Sequence, residues 1–175
     1  MIRALDLVAE MSGWGTPLPA GTARAIALEE KGAEASGTAT ISAMVHTVSV
    51  SQEGLVRLER VDVALDQGFS LINPLSVKKQ IEGQIIWFYN DAMHQANTVL
   101  EGRIVENNFD LFSISRIKED PPEINIQFFK TGHWMRGMGH DRATSVQSGI
   151  SDAIFQITGK RFRDLPFSKH DLSWG

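Results

Sequence analysis

D-Q-G-F-S-L-I-N-P-L-S-V-K-K-Q-I-E-G-Q-I-I-W-F-Y-N, residues 66–90, joins a strand end, a turn and the longest helix of the chain. Asn73 followed by Pro74 marks the helix start, because an Asn side chain can cap free backbone N–H groups and Pro at the first helical position gives up no needed donor. From there Val77, Ile81, Ile85, Phe88, Ala92 and Ala96 recur at three- and four-residue steps, which predicts one core-facing side down to about residue 96. Gln80, Gly83, Gln84 and Trp87 fall at the same spacing on another side. Glycine inside a helix costs roughly 1 kcal/mol against alanine. Gly83 therefore implies a close approach, by a neighbouring backbone or by a bound ligand.

Working outward, residues 55–65 place Val56, Leu58, Val61, Val63 and Leu65 inward, and residues 40–50 alternate through Ile41, Ala43, Val45, Val48 and Val50. The change of phase at His46–Thr47 predicts a bulge, and Gln52–Glu53–Gly54 predicts the turn that joins the two strands as a hairpin. Residues 123–130, E-I-N-I-Q-F-F-K, read as a further strand after the stop at Asp120–Pro121–Pro122. Val146, Ile150, Ala153, Ile154 and Ile157 mark a second helix ended by Gly159, with Lys160 and Arg161 placed at its negative end. Ile2, Leu5, Val8 and Met11 suggest a short helix stopped at Ser12–Gly13. The Gly- and Pro-rich residues 14–24 predict an ordered loop or extended segment, a strand can begin at Ala23, and residues 29–38 read as a surface connection. Residues 97–102 read as a turn, 107–116 as an irregular run, and 131–140, with three glycines, as a loop. The tail is expected to be pinned by Phe162, Leu165 and Phe167. The predicted fold class is α+β, a two-layer arrangement in which a mixed or antiparallel sheet built on a long hairpin is covered by two main helices. Residues 1–38 form the N-terminal helix and Pro/Gly-rich segment, and 39–175 the principal domain.

Composition narrows the functional classes. The 175 residues, 42% hydrophobic, suffice for a sizeable core. A formal charge of −4 with scattered Lys and Arg leaves no extended basic face, which argues against nucleic acid. No apolar run approaches the ~20 residues of a membrane helix, so no membrane partner is expected. The first residues lack a charged-then-apolar signal pattern, so the chain as written reads as cytoplasmic, or as cut downstream of an export signal in a periplasmic parent. The absence of cysteine removes disulfides and thiolate-held zinc or iron–sulfur centres from this chain.

No phosphate loop, nucleophile elbow or H-E-x-x-H motif is present. His46, His94, His133, His140 and His170 have no close metal-ligand spacing; His133 and His140 share one loop, and His46 and His94 read as structural or exposed.

Four segments nevertheless occur in a telling order: W-G-T-P-L-P-A-G-T-A-R-A-I-A-L (14–28), R-V-D-V-A-L-D-Q-G-F-S-L-I-N-P (60–74) with Q-I-E-G (80–83), N-N-F-D-L-F-S-I-S-R (107–116) and A-I-F-Q-I-T-G-K-R-F-R-D-L-P (153–166). Together they resemble the C-terminal part of the molybdopterin-binding large subunit of the xanthine oxidase/aldehyde oxidase family, in its isoquinoline 1-oxidoreductase beta-subunit flavour. The resemblance implies hydroxylation of aldehydes or N-heterocycles at a molybdenum–pterin centre, with a glutamate as proton acceptor and iron–sulfur clusters on another subunit or domain taking the electrons.

By the same resemblance Gln80 and Gly83 are cofactor-binding, Gln80 matching the pterin-contacting Gln of Q-x-E-G. Gly137 and Gly139 belong to the family's G-x-G-E loop. The glutamate of that loop is here His140, the candidate proton acceptor, with Asp141 as the adjacent carboxylate. The greater part of the large subunit has no counterpart in these residues. One reading is therefore an oxidoreductase fragment that contributes one wall of a molybdopterin site and is inactive alone. Its partners would be an N-terminal molybdenum-subunit fragment and an iron–sulfur subunit. The other reading is a non-catalytic degenerate or assembly module of the same fold, without cofactor. Apolar surface left by the missing part also predicts self-association.

Overall fold

The computed structural model describes residues 1–33, 38–118, 123–134, 137–139 and 142–175. Four strands form a mixed sheet in the order β1–β2–β3–β6, where β1 is Thr22–Ala33, β2 Thr38–Val50, β3 Val56–Asp66 and β6 Glu123–Phe129. β1, β2 and β3 are antiparallel neighbours, and β6 runs parallel to β3. Between them lie α2 (Pro74–Met93) and the exposed two-residue strands β4 (Val99–Leu100) and β5 (Arg103–Ile104). α1 (Ile2–Ser12) precedes the sheet and α3 (Ser145–Thr158) follows it. The architecture is α+β, as the hydrophobic pattern predicts. None of the helices among the described residues is long and apolar enough to cross a membrane.

The two main helices cover one face of the sheet, where Ile81, Ile85 and Phe88 of α2 and Val146, Ile150 and Ile154 of α3 pack with Met44, Val48, Leu58, Val61, Val63 and Leu65. α1 adds a cover the periodicity did not assign. Ala4 and Val8 pack on the opposite face with Ile41, Ala43, Val45 and Ala64. Thus α1 buries Ala4, Val8 and Ser12, while Ile2, expected on its inner side, is 76% exposed. The reason is that an 11-residue helix follows 3.6 residues per turn, so a strict three-residue spacing drifts off the buried line.

Double cover also explains the phase change in the hairpin. β2 alternates between the two covers, Met44, Val48 and Val50 packing with α2 and α3 and Ile41, Ala43 and Val45 with α1. The register shift lies between Thr47 and Val48, one residue beyond the expected His46–Thr47; Thr47 pairs Arg60 and Val48 pairs Leu58, so the extra residue is Glu59 of β3. That bulge turns the inward set from Val56 and Leu58 to Val61, Val63 and Leu65.

Other boundaries differ in ways that pairing accounts for. Residues 29–33, read as a surface connection, extend β1 because β2 supplies partners from Thr38 to Ser42. α2 ends at Met93 rather than near 96, with His94 at the cap position. The stop at residues 120–122 lies outside the described residues. In the tail, Phe167 and Leu172 are buried whereas Leu165 is 43% exposed, and the Trp174 indole N–H donates to Val50 O at 2.9 Å, fastening the tail to the hairpin end.

Candidate cofactor wall

The carboxyl ends of the parallel strands β3 and β6 lie side by side, Asp66 opposite Phe129. In open sheets this is where a crevice forms, because the loops leave the strands in the same direction. Asp66 joins the two loops. Its side chain is fully buried and accepts from Gly68 N at 2.8 Å, Thr131 N at 3.2 Å and Thr131 Oγ1 at 2.5 Å. Beyond it Phe69 N donates to His133 O at 2.8 Å, and the Phe69 and Trp134 rings meet edge to face at 5.1 Å. An open cleft of about 350 Å³ follows, lined by Gln67, Leu71, Asn73, Val77, Gly137 and Met138 among others. Asn73 Oδ1 accepts from Ser76 N at 3.1 Å and so caps the N-terminus of α2 beside the cleft, as the Asn-Pro pair predicts.

The second stripe of α2 divides into an anchored and an open part. Gln84 is buried: its Nε2 donates to Gly139 O at 3.0 Å and its Oε1 accepts from Arg142 N at 2.9 Å. Arg142 Nη2 in turn donates to Gly137 O at 2.9 Å. Through Gln84 the segment that carries Gly137 and Gly139 is thereby held against α2, next to the end of the Q-I-E-G segment. Gln80, one turn before Gln84, is exposed and makes no side-chain hydrogen bond among the described residues. Gly83 is exposed too, and a Cβ built there meets nothing within 4 Å. Trp87 continues the open line at 61% exposure. The neighbouring backbone that could have explained Gly83 is not supplied by the described residues of this chain.

His140 and Asp141 lie outside the described residues. Among the described residues no three of His, Cys, Asp and Glu are grouped to hold a metal ion. His46 is structural: it is fully buried on β2, and burial lowers its pKa from 6.5 to about 4, the backbone of Ala25 offsetting part of the effect.

Two positioning residues escaped the sequence reading. Glu29 sits in β1, and its carboxylate accepts from Thr144 Oγ1 and Ser145 N, placing a negative charge at the start of α3. Arg60 Nη2 donates to Met11 O at 3.0 Å while the same guanidinium grips the fully buried Asp62 at 2.7–3.0 Å. The hydrogen bond to Asp62 raises the Arg60 pKa further above its usual value.

Family models give no match over this chain. Whole-sequence relatives do match. They include the membrane-bound aldehyde dehydrogenase (pyrroloquinoline-quinone) of Gluconacetobacter polyoxogenes, 29% identical over 168 residues, which is 95% of this chain and 21% of that protein. The beta subunit of the isoquinoline 1-oxidoreductase of Brevundimonas diminuta is 29% identical over 91% of this chain and 20% of its own length. A nicotinate dehydrogenase subunit of Pseudomonas putida is 30% identical over 73% of this chain and 11% of its own. The resemblance read from the four segments thus extends along most of the chain.

The fold agrees. The aldehyde oxidoreductase of Desulfovibrio desulfuricans superposes with a TM-score of 0.65 at 23% identity, over 74% of this chain and 15% of that one. Quinoline 2-oxidoreductase of Pseudomonas putida gives 0.65 at 19% identity, over 74% and 17%. The chain spans about a fifth, or less, of the curated relatives it matches. Its relatives are oxidoreductases of aldehydes and nitrogen heterocycles, and two of them are named as subunits.

Proposed function

We propose that this chain contributes one wall of a molybdopterin site in a molybdenum hydroxylase-type oxidoreductase and reaches activity only with a partner chain that supplies the remainder. The carrying observation is the open line of Gln80, Gly83 and Trp87 beside a glycine turn fixed by Gln84. The residues fit the group. The Gln80 amide carries both donors and an acceptor uncommitted among the described residues, and the missing side chain at 83 lets a flat ring edge lie close to the helix. The anchored turn keeps its glycine backbone beside that line. When bound, such a centre supplies the oxidation of an aldehyde or heterocycle carbon; this chain's part is to bind and orient. Exposed apolar residues on the 99–117 segment, including Ile104, Phe109, Leu111 and Ile117, suit burial by the partner.

The test is purification from the native source, with metal analysis and native mass. Molybdenum in a complex larger than this chain, lost on Gln80→Ala while the complex persists, is the expected result. A metal-free monomer overturns the reading. One relative is named with pyrroloquinoline quinone, so the same preparation is assayed for that quinone; finding it in place of molybdenum overturns the cofactor assignment. The alternative, a non-catalytic module, draws on His140 standing where the resemblance puts glutamate. It expects a complex that forms without pterin and is indifferent to Gln80→Ala.

A further inference from the structure

A second cavity lies at the other end of α2, about 20 Å along the helix from Gln80 at the 1.5 Å rise per residue. It encloses about 340 Å³ between the end of α2, the β2–β3 turn and the C-terminal tail, and is less open than the cleft beside residue 73. That size admits a small molecule. Its body is apolar, with Leu55, Val56, Met93 and Leu172 among the lining residues and the Tyr89 ring beside them. Its polar groups are cationic or donors: Arg57, Lys118, His94, His170 and Ser168 line it, and among the described residues no carboxylate does. Among the described lining residues that reverses the sign of the chain's formal charge of −4.

Two of these groups, His94 Nε2 and Lys118, have no partner among the described residues. His94 Nε2 is buried and has no hydrogen-bond partner among the described residues, its ring held edge-on to Tyr89 at 5.9 Å. A buried ring nitrogen left unmatched carries a desolvation cost that a ligand can remove. Lys118 makes no ion pair among the described residues, and Arg57 reaches Glu59 only at 3.8 Å across an exposed surface, a contact worth little. His170 is committed, its Nε2 lying 3.1 Å from Asp164 O with the ring stacked on Phe162, so it contributes wall rather than donor.

We propose that this cavity binds a small carboxylate with an apolar body, the body against Met93 and Leu172 and the carboxylate between His94 Nε2, Lys118 and Arg57. The site is independent of the cofactor wall.

The probes are benzoate and its neutral isostere benzamide, titrated into the full chain at low salt and followed by NMR. Saturable benzoate binding, with shifts at His94 and Leu172 and at least tenfold weaker benzamide binding, is the expected outcome. Lys118→Gln changes an exposed side chain and leaves the core intact; it is expected to weaken benzoate at least threefold and leave benzamide unchanged. His94→Phe keeps the ring and removes the donor, and is expected to weaken benzoate further. Equal affinity for the two probes, no saturation, or benzoate binding unchanged in both variants overturns the proposal.

Discussion

His46 and Gly149 share one space: a Cβ built on Gly149 would lie 2.1 Å from His46 Nδ1 and 2.6 Å from Cγ. The imidazole is fully buried, so it has nowhere to withdraw, and α3 must carry glycine where it crosses β2.

The first prediction follows from that contact. Gly149→Ala gains up to ~1 kcal/mol of helix propensity but overpacks the core, and a net loss of about 1–3 kcal/mol is expected. The urea midpoint should fall with little change in slope. Adding His46→Ala should recover part of the loss, since the two side chains contend for the same volume. A midpoint at or above wild type for Gly149→Ala alone would refute the packing account.

A second prediction concerns acid. Burial holds His46 neutral in the fold down to about pH 4, whereas the unfolded chain takes up a proton below pH 6.5. Between those values the unfolded state binds more protons, so stability falls as pH drops, and the contribution levels off below about pH 4. Two and a half units at 1.36 kcal/mol each put the total near ~3 kcal/mol. Urea midpoints from pH 7 to 4.5 should therefore fall more steeply for wild type than for His46→Leu, the carboxylates titrating alike in both. Parallel curves would assign the acid sensitivity to other groups.

How much of this was legible beforehand depended on whether one element or two decided a residue's environment. Asn73, Pro74 and the Ile81–Ile85–Phe88 line belong to α2 alone, and they stand where the pattern puts them. The phase change in the hairpin was legible as a bulge, yet its place on β3 depends on which strand carries the surplus residue, and only the pairing reveals that. Glu29 was unreadable for a similar reason. It looks like a loop acid until the 115-residue separation to Thr144 closes and gives its carboxylate a helix terminus. In the candidate site, spacing located the stripe but could not tell which glutamine was anchored, because Gln80 and Gln84 are equivalent along the helix until Gly139 and Arg142 arrive.

That distinction between the glutamines gives the third prediction. Gln84→Leu removes both bonds to the turn and leaves the Gly139 carbonyl and the Arg142 amide without their partner, a loss of about 1–3 kcal/mol. Amide exchange at 138, 139 and 142 should accelerate while far-UV dichroism of the helices is retained. Gln80→Ala should lie within about 0.5 kcal/mol of wild type in the isolated chain. Equal destabilisation by the two would mean that Gln80 carries structural contacts too.

Gly83 separates the two functional readings most sharply, because its effects in the isolated chain and in the assembly have opposite signs. Alone, a methyl group at 83 meets nothing within 4 Å and removes the helix penalty of glycine, so Gly83→Ala should stabilise the chain by about 0.5–1 kcal/mol. Within the proposed complex the same methyl group, and more so the side chain of Gly83→Leu, would stand where a ring edge has to approach. Molybdenum retention should then fall from Gly83 to Ala to Leu while the urea midpoint of the isolated chain rises at the first step. If metal retention is the same in all three proteins, the glycine was not kept open for a cofactor.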